Sequence, residues 1–308
     1  MIELDHVVKR FGGHGAIDGL SLVIEARTLC AVVGPSGCGK STTLRLINAL
    51  IRPDEGAIRI DGRDIAEIEP VELRRGIGYV IQSIGLFPHW NVADNIATVP
   101  RLLGWPKPKI EARIDELLHL LRLEPDEFRG KFPQQLSGGQ QQRIGVARAL
   151  AADPNIVLMD EPFGALDPPT REALQAEIRR IQAQTKKTIV FVTHDMDEAL
   201  RLGDRVAVMR AGKLVQYASP AELLAKPADD FVRQFVGGAD FSIRVLAVTR
   251  VAERMRPDGE AEGEPISADA SLKEALTVMM TSGRQALPVS GSEGRSAGII
   301  RLADLVRL

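Results

Sequence analysis

The stretch Gly34-Pro-Ser-Gly-Cys-Gly-Lys-Ser-Thr42 constrains this chain more than any other. An apolar run, Leu29-Cys-Ala-Val-Val33, precedes it, and Leu44, Ile47, Leu50 and Ile51 follow at helical spacing before Pro53. The order is strand, glycine-rich loop, helix. Gly34, Gly37 and Gly39 let the backbone curl so that successive N–H groups point at an anion, and the following helix adds its positive end. Lys40 supplies a mobile charge for the outer phosphates of a polyphosphate, and the Ser41 hydroxyl suits a magnesium ion, which prefers oxygen ligands. Pro35, Ser36, Cys38 and Thr42 complete the cradle. A glycine-rich turn that happened to carry Lys-Ser would match the spacing but not the flanking strand and helix. The loop therefore implies a nucleoside triphosphate and leaves open how the energy is used.

At 308 residues the chain has room for about two domains, and 44% hydrophobic residues supply their cores. The 39 basic and 41 acidic residues leave a net charge of −2, so no global field recruits nucleic acid, and no nucleic-acid partner is expected. Cys30 and Cys38 are the only cysteines, one on the strand and one in the loop, which is no disulfide framework and suits a reducing, cytosolic compartment. The N-terminus lacks the features of a signal peptide, and no apolar run approaches the ~18 residues of a membrane span. A membrane role would require a partner.

Residues 2–8 and 20–24 read as an opening antiparallel pair around the turn Gly12-Gly13-His14-Gly15, with Phe11 at its end. Ala57–Ile60 with Asp61-Gly62 suggests a hairpin, and Ile77–Ile81 a buried strand ending at Gln82. From about 91 to 152 the periodicity is helical: Leu117, Leu118, Leu120 and Leu121 form one apolar face, and Ile144, Ala147 and Leu150 another. Ile156–Met159 and Thr188–Thr193 are strand-like, with Leu174, Ile178 and Ile181 marking a crossover helix between them. Apolar strands separated by helices predict an α/β fold with a largely parallel sheet covered on both faces.

Two further stretches narrow the chemistry. Ile156–Met159 runs into Asp160-Glu161. A strand ending there places Asp160 beside the phosphate loop, to hold magnesium or its water, and Glu161 where it can take a proton from attacking water. Leu136-Ser-Gly-Gly-Gln140 opens a helix: Ser137 is a good N-cap, and Gly138 and Gly139 leave N–H groups accessible to a second anion. A strand ending in solvated acids and an ordinary capped helix would look alike if each stood alone.

Together, Phe11, residues 34–42, Gln82, Leu136–Gln140, Asp160-Glu161, Ala165-Leu-Asp167 and His194 resemble the ordered motif set of ABC-type ATPases over roughly residues 1–240. The resemblance implies a P-loop NTPase fold: a RecA-like core with an antiparallel β subdomain and a helical subdomain at about 91–152. It implies ATP and Mg2+ as cofactors, with Ser41, Gln82 and Asp160 at the metal. Phe11 would stack on adenine, Gln82 would link magnesium and γ-phosphate to the transport partner, Asp167 would lie at a dimer seam, and His194 would hold the γ-phosphate. Lys40, Gln82, Glu161 and His194 would form the catalytic set. Two copies would face each other head to tail, so that Ser137, Gly138, Gly139 and Gln140 of one grip the γ-phosphate bound by the other.

Tyr79–His89 and Glu161-Pro-Phe-Gly-Ala-Leu-Asp-Pro168 resemble the ATPase subunits of importers for glycine betaine, choline and related osmoprotectants. That implies integral membrane permease subunits as partners, a substrate-binding protein indirectly, and a peripheral place on the cytoplasmic face of the membrane. An importer of another solute, such as an amino acid, has the same architecture. Gly85–Asn95, with Phe87, His89 and Trp90, is the expected docking segment. A DNA-repair or ribosomal ATPase would need a long insertion or a second cassette, and intact Lys40, Asp160, Glu161 and His194 speak against an inactive regulatory module.

Composition shifts after Gly237-Gly238, and residues 241–265, rich in Pro, Gly and charge toward their end, read as a linker. Residues 266–308 show helix-like Leu272–Met280, strand-like Ala286–Val289 and Ala297–Ile300, and a final helix from Leu302. They resemble a single CBS motif, a small α+β unit. Asp304 matches that family's ribose-binding acid, while Arg301 replaces the usual small hydroxyl residue. Ten acidic and nine basic residues between 240 and 308 make no ionic-strength antenna, and a regulatory or dimer-stabilising role is expected.

Overall fold

A computed structural model describes residues 1–82, 85–164, 166–237, 241–291 and 296–305. Ser83, Ile84, Ala165, Gly238, the boundary at 240 and the end of the final helix lie outside these residues. The chain divides into two compact units, Met1–Tyr217 and Ala218–Leu308.

In the first unit, β1 (Ile2–Phe11), β2 (His14–Ile24), β4 (Glu55–Ile60) and β5 (Arg63–Asp64) form a sheet in the order β2-β1-β4-β5. The opening pair is longer than the alternation suggests. β1 slips register against β2 between Leu4 and Val7 and twice more before Arg10, and His6 takes a φ of 47° at the first slip. Each slip reverses which residues face the core, so no single period-2 pattern spans the strand.

The second sheet has the order β10-β9-β3-β8-β7-β6. It comprises β3 (Leu29–Val33), β6 (Ile77–Val80), β7 (Ile156–Asp160), β8 (Thr188–Val192), β9 (Arg205–Arg210) and β10 (Lys213–Ala218). β3 pairs in parallel with both β8 and β9, and β7 with both β6 and β8. Every residue of β3, β7 and β8 is buried, as expected of strands covered on both faces. The carboxyl ends of β3, β6, β7 and β8 therefore share one edge, where an open α/β sheet binds its ligand. Helices Lys107–Leu120 and Gly138–Leu150 are the longest in the stretch expected to be helical, and Leu117, Leu118, Ile144 and Ala147 are buried there.

The second unit begins with helices Pro220–Ala225 and Asp230–Val236. Its sheet, β11 (Ile266–Ser267), β12 (Ala286–Ser290) and β13 (Ser296–Arg301), is parallel between β11 and β12 and antiparallel between β12 and β13. Helices Leu272–Ser282 and Leu302–Leu305 accompany it around Ala275, Met279, Leu287, Val289, Ile300 and Leu305. The stretch 241–265, expected as a linker, differs. Phe241–Val248 is helical, Val251 is fully buried in the same core, and Arg256 pairs with Ile299 as one more rung of the ladder. Leu246, Val251 and Met255 anchor it, and 257–265 is its longest run without helix, strand or bridge.

Candidate functional site

Residues 34–39 leave the end of β3 and turn into helix Lys40–Ile47. Two glycines here are obligatory for space. A Cβ at Gly34 (φ 154°) would meet the Met209 carbonyl oxygen at 2.2 Å, and one at Gly39 (φ 105°) would meet that of Ala16 at 2.5 Å. Gly37 has nothing within 4 Å of a Cβ, so its backbone is open to a ligand.

Lys40 is only 7% exposed, and its Nζ donates to the carbonyls of Gly34 (2.8 Å) and Pro35 (3.0 Å). It forms no ion pair with a carboxylate among the described residues. A buried ammonium held only by loop carbonyls is an uncompensated charge, and a polyphosphate fits it. The Cys38 thiol is buried 4.0 Å from this Nζ; burial pushes its pKa up, with Lys40 pulling the other way. That predicts slow alkylation even before a nucleotide binds.

Ser41 Oγ donates to Asp160 Oδ1 at 2.8 Å across the cleft between helix and β7. Asp160 is 5% exposed, and burial raises its carboxyl pKa. No group of three His, Cys, Asp or Glu among the described residues could cage a metal. The donor set suits Mg2+, which takes few protein ligands and completes its octahedron with phosphate oxygens and water. Ser41 and Asp160 would hold it, and Gln82, expected as a third ligand, turns its Nε2 to Glu161.

Glu161 follows in a left-handed conformation, φ 45°, its N–H bonded to Val192 O at 3.1 Å. Its Oε2 accepts from Gln82 Nε2 at 3.1 Å and lies 3.4 Å from His194 Nδ1. The ends of β6, β7 and β8 thus converge on one partly buried carboxylate, placed to receive a proton from water. Lys40, Ser41, Gln82, Asp160, Glu161 and His194 form one connected edge.

Phe11 and Leu136–Gln140 do not join it. Phe11 ends β1 with 48% of its surface exposed and Lys9 Nζ 5.6 Å from the ring, an open stacking platform. Ser137 and Gln140 bond reciprocally as a capping box, Ser137 N to Gln140 Oε1 (2.9 Å) and Gln140 N to Ser137 Oγ (3.3 Å). The two glycines behind this cap differ from each other. Gly138 has open space for a Cβ, whereas a Cβ at Gly139 would meet Thr170 Cγ2 at 2.2 Å, so packing requires a glycine at 139 but not at 138. Asp167 caps helix Pro168–Thr185 through Thr170 N at 3.2 Å, and hydrogen bonding from the Thr170 hydroxyl and then its N–H lowers the Asp167 pKa.

The aromatic segment after Gly85 is held by a residue that hydrophobic patterning passes over. Asn95 is fully buried: its Oδ1 accepts from Phe87 N, and its Nδ2 donates to the carbonyls of Phe87, Trp90 and Asn91 at 3.0–3.2 Å. The Phe87 and Trp90 rings meet at a tilt of 48°, 4.6 Å between centroids. Phe87, exposed at 39%, borders a groove of about 390 Å³ with Asn48, Leu50, Arg75, Val99 and Arg148. Asn48 is buried, and its Oδ1 accepts no bond from the described residues.

Comparison with known proteins accords with this geometry. Residues 17–164 match the ABC transporter family model. The glycine betaine uptake system ATP-binding protein YehX of Escherichia coli is 50% identical over 306 residues, covering 99% of each chain. The carnitine transport ATP-binding protein OpuCA of Listeria monocytogenes is 50% identical over 280 residues, 91% of this chain and 69% of that one. A solved dimeric ATP-binding cassette in a post-hydrolysis state, bound to ADP and Pi, superposes with a TM-score of 0.64 at 34% identity over 71% of this chain and 99% of its own. With a relative half identical from end to end and a loop, carboxylate pair and histidine arranged for cleaving a triphosphate, this chain belongs to the ATP-hydrolysing, ATP-binding proteins of ABC transporters.

Proposed function

We propose that this chain energises import of an osmoprotectant of the glycine betaine, carnitine and choline class by hydrolysing ATP between two copies of itself. The observation that carries the solute class is the 50% identity running the full length of a glycine betaine relative. The described residues contain no helix long and apolar enough to cross a membrane, so permease subunits would hold the chain at the cytoplasmic face. The groove beside Phe87 supports a docking place for them: exposed Leu50 and Phe87 flank it, and Arg75 and Arg148 line it. A substrate-binding protein would act on the permease rather than on this chain.

In hydrolysis, Lys40 exchanges the carbonyls of Gly34 and Pro35 for phosphate oxygens, and the N–H groups of the loop hold the rest of the triphosphate. Mg2+ held by Ser41 and Asp160 would neutralise charge on the outer phosphates. Glu161 accepts the proton of the attacking water, oriented by Gln82 Nε2 and by His194 on the same oxygen. Ser137 and Gly138 of the second copy present a helix end to the γ-phosphate, and Phe11 supports the adenine. From Ile266 the second unit runs strand, helix, strand, strand, helix, an order that supports the reading of one CBS motif with a regulatory or dimer-stabilising role. Its Asp304 is engaged by Arg256 rather than free for a ribose.

The test is reconstitution with the permease and binding protein in vesicles, with ATPase activity read across betaine, choline, carnitine and amino acids. Stimulation by quaternary amines is expected. Stimulation by amino acids alone would refute the solute class while leaving the ATPase reading intact.

A further inference from the structure

His194 has a largely solvent-facing ring, 63% exposed, whose contact with the site is Glu161 at 3.4 Å. Its position is therefore set by the turn that carries it, Thr193–Asp195, and that turn is held from beneath. Thr193, 2% exposed, uses its hydroxyl twice: it accepts from Asp195 N at 3.0 Å and donates to Glu198 Oε2 at 2.5 Å. Glu198, 6% exposed, also accepts on Oε1 from Gln175 Nε2 at 3.2 Å, and Arg171 Nε stands 3.9 Å from the same oxygen. Gln175 is itself buried. A cavity of about 20 Å³, the size of one water, lies among Glu161, Arg171, Thr193, His194 and Glu198.

We infer that Glu198 is a positioning residue for hydrolysis, its buried carboxylate fixing the Thr193–Asp195 turn so that His194 meets Glu161. This rests on the role given to His194 above. Three features carry it. An apolar side chain would fill the position more cheaply than a buried carboxylate, which persists here because both oxygens are bonded. Its partners come from two elements: Thr193 from the end of β8, and Gln175 with Arg171 from helix Pro168–Thr185. That helix starts at Asp167, so the same carboxylate ties the turn of His194 to the element expected at the dimer seam. Burial, with Asp195 adding to it, also raises the carboxyl pKa, against the hydrogen bond from Thr193.

The experiment uses the full chain and measures phosphate release, binding of a fluorescent ATP analogue and thermal melting for His194→Ala, Glu198→Gln, Thr193→Val and Thr193→Ser. Gln cannot accept from both Thr193 and Gln175 without exposing an N–H to a donor, and Val removes the hydroxyl; Ser keeps it. Glu198→Gln and Thr193→Val are each expected to lower kcat ~10-fold, with nucleotide affinity within about 2-fold of wild type. Thr193→Ser should retain wild-type kcat, and the double variant Thr193→Val with Glu198→Gln should be no slower than the worse single one. Wild-type kcat in Glu198→Gln beside a slow His194→Ala overturns the inference and leaves the histidine's role standing. A kcat that falls only together with nucleotide affinity and melting temperature, in both the Glu198 and the Thr193→Val variants, overturns it in favour of a structural role. Full hydrolysis by His194→Ala removes the role of His194 and the inference with it.

Discussion

Glu161 holds a left-handed backbone, φ 45°, immediately after the last residue of β7, and such positions persist where surrounding bonds over-determine them. The bonds here come from Val192 and Gln82. Glu161→Gln keeps the size and the backbone but cannot take a proton. It should bind ATP as wild type does while hydrolysis falls roughly 100-fold or more, read by nucleotide titration beside phosphate release. Asp304 offers a second test at this scale. Arg256 donates to it through Nε and Nη2 at 2.5–3.1 Å, and this bond lowers the carboxyl pKa. A lowered folded-state value contributes stability above the unfolded value of ~3.9, and that contribution is lost as the pH falls through the folded value. The melting gap between wild type and Asp304→Asn should therefore be open at pH 7 and close as the solution is acidified below about pH 4. A gap independent of pH would mean that the ion pair does not stabilise the second unit.

At the scale of elements, the helix from Gly138 separates two roles that its sequence runs together. Gly139→Ala drives a Cβ into Thr170 and should cost about 1–3 kcal/mol of stability by overpacking, recovered by Thr170→Ser, which removes the Cγ2 and keeps the hydroxyl. Gly138→Ala should leave the melting temperature near wild type, since its Cβ meets open space. Calorimetry of the four proteins checks this. Sequence alone makes the two glycines equal, because packing against Thr170 is a tertiary contact. The phosphate loop and the strand ending at Asp160-Glu161 were legible because their signals are local: an apolar run, then glycines or acids. The β1–β2 pair was legible in kind but not in length, since the slips near His6 scramble the alternation. β9 and β10 escaped the reading although Ala211-Gly212, with φ of 48° and 80°, makes a two-residue turn between them. Glu198 and the helix Phe241–Val248 take partners from other elements, and Asn95 is held by the backbone of the irregular loop just before it; hydrophobic spacing records neither.

Across the whole molecule, the connected edge gathers the residues proposed to bind and cleave, and among the described residues Ser137 and Gly138 form no bond to it. A capped helix end standing apart from the loop it would serve is what a site shared between two chains requires. The solved relative with ADP and Pi is a dimer. The most direct measurement of this claim is the mass of the Glu161→Gln chain in solution by analytical ultracentrifugation, with and without ATP, beside the same chain carrying Ser137→Arg. The account predicts a dimer of Glu161→Gln only when ATP is present, and a monomer that still binds ATP when Ser137→Arg is added. ATP-saturated Glu161→Gln that stays monomeric, or dimers that form equally well with Ser137→Arg, would contradict it.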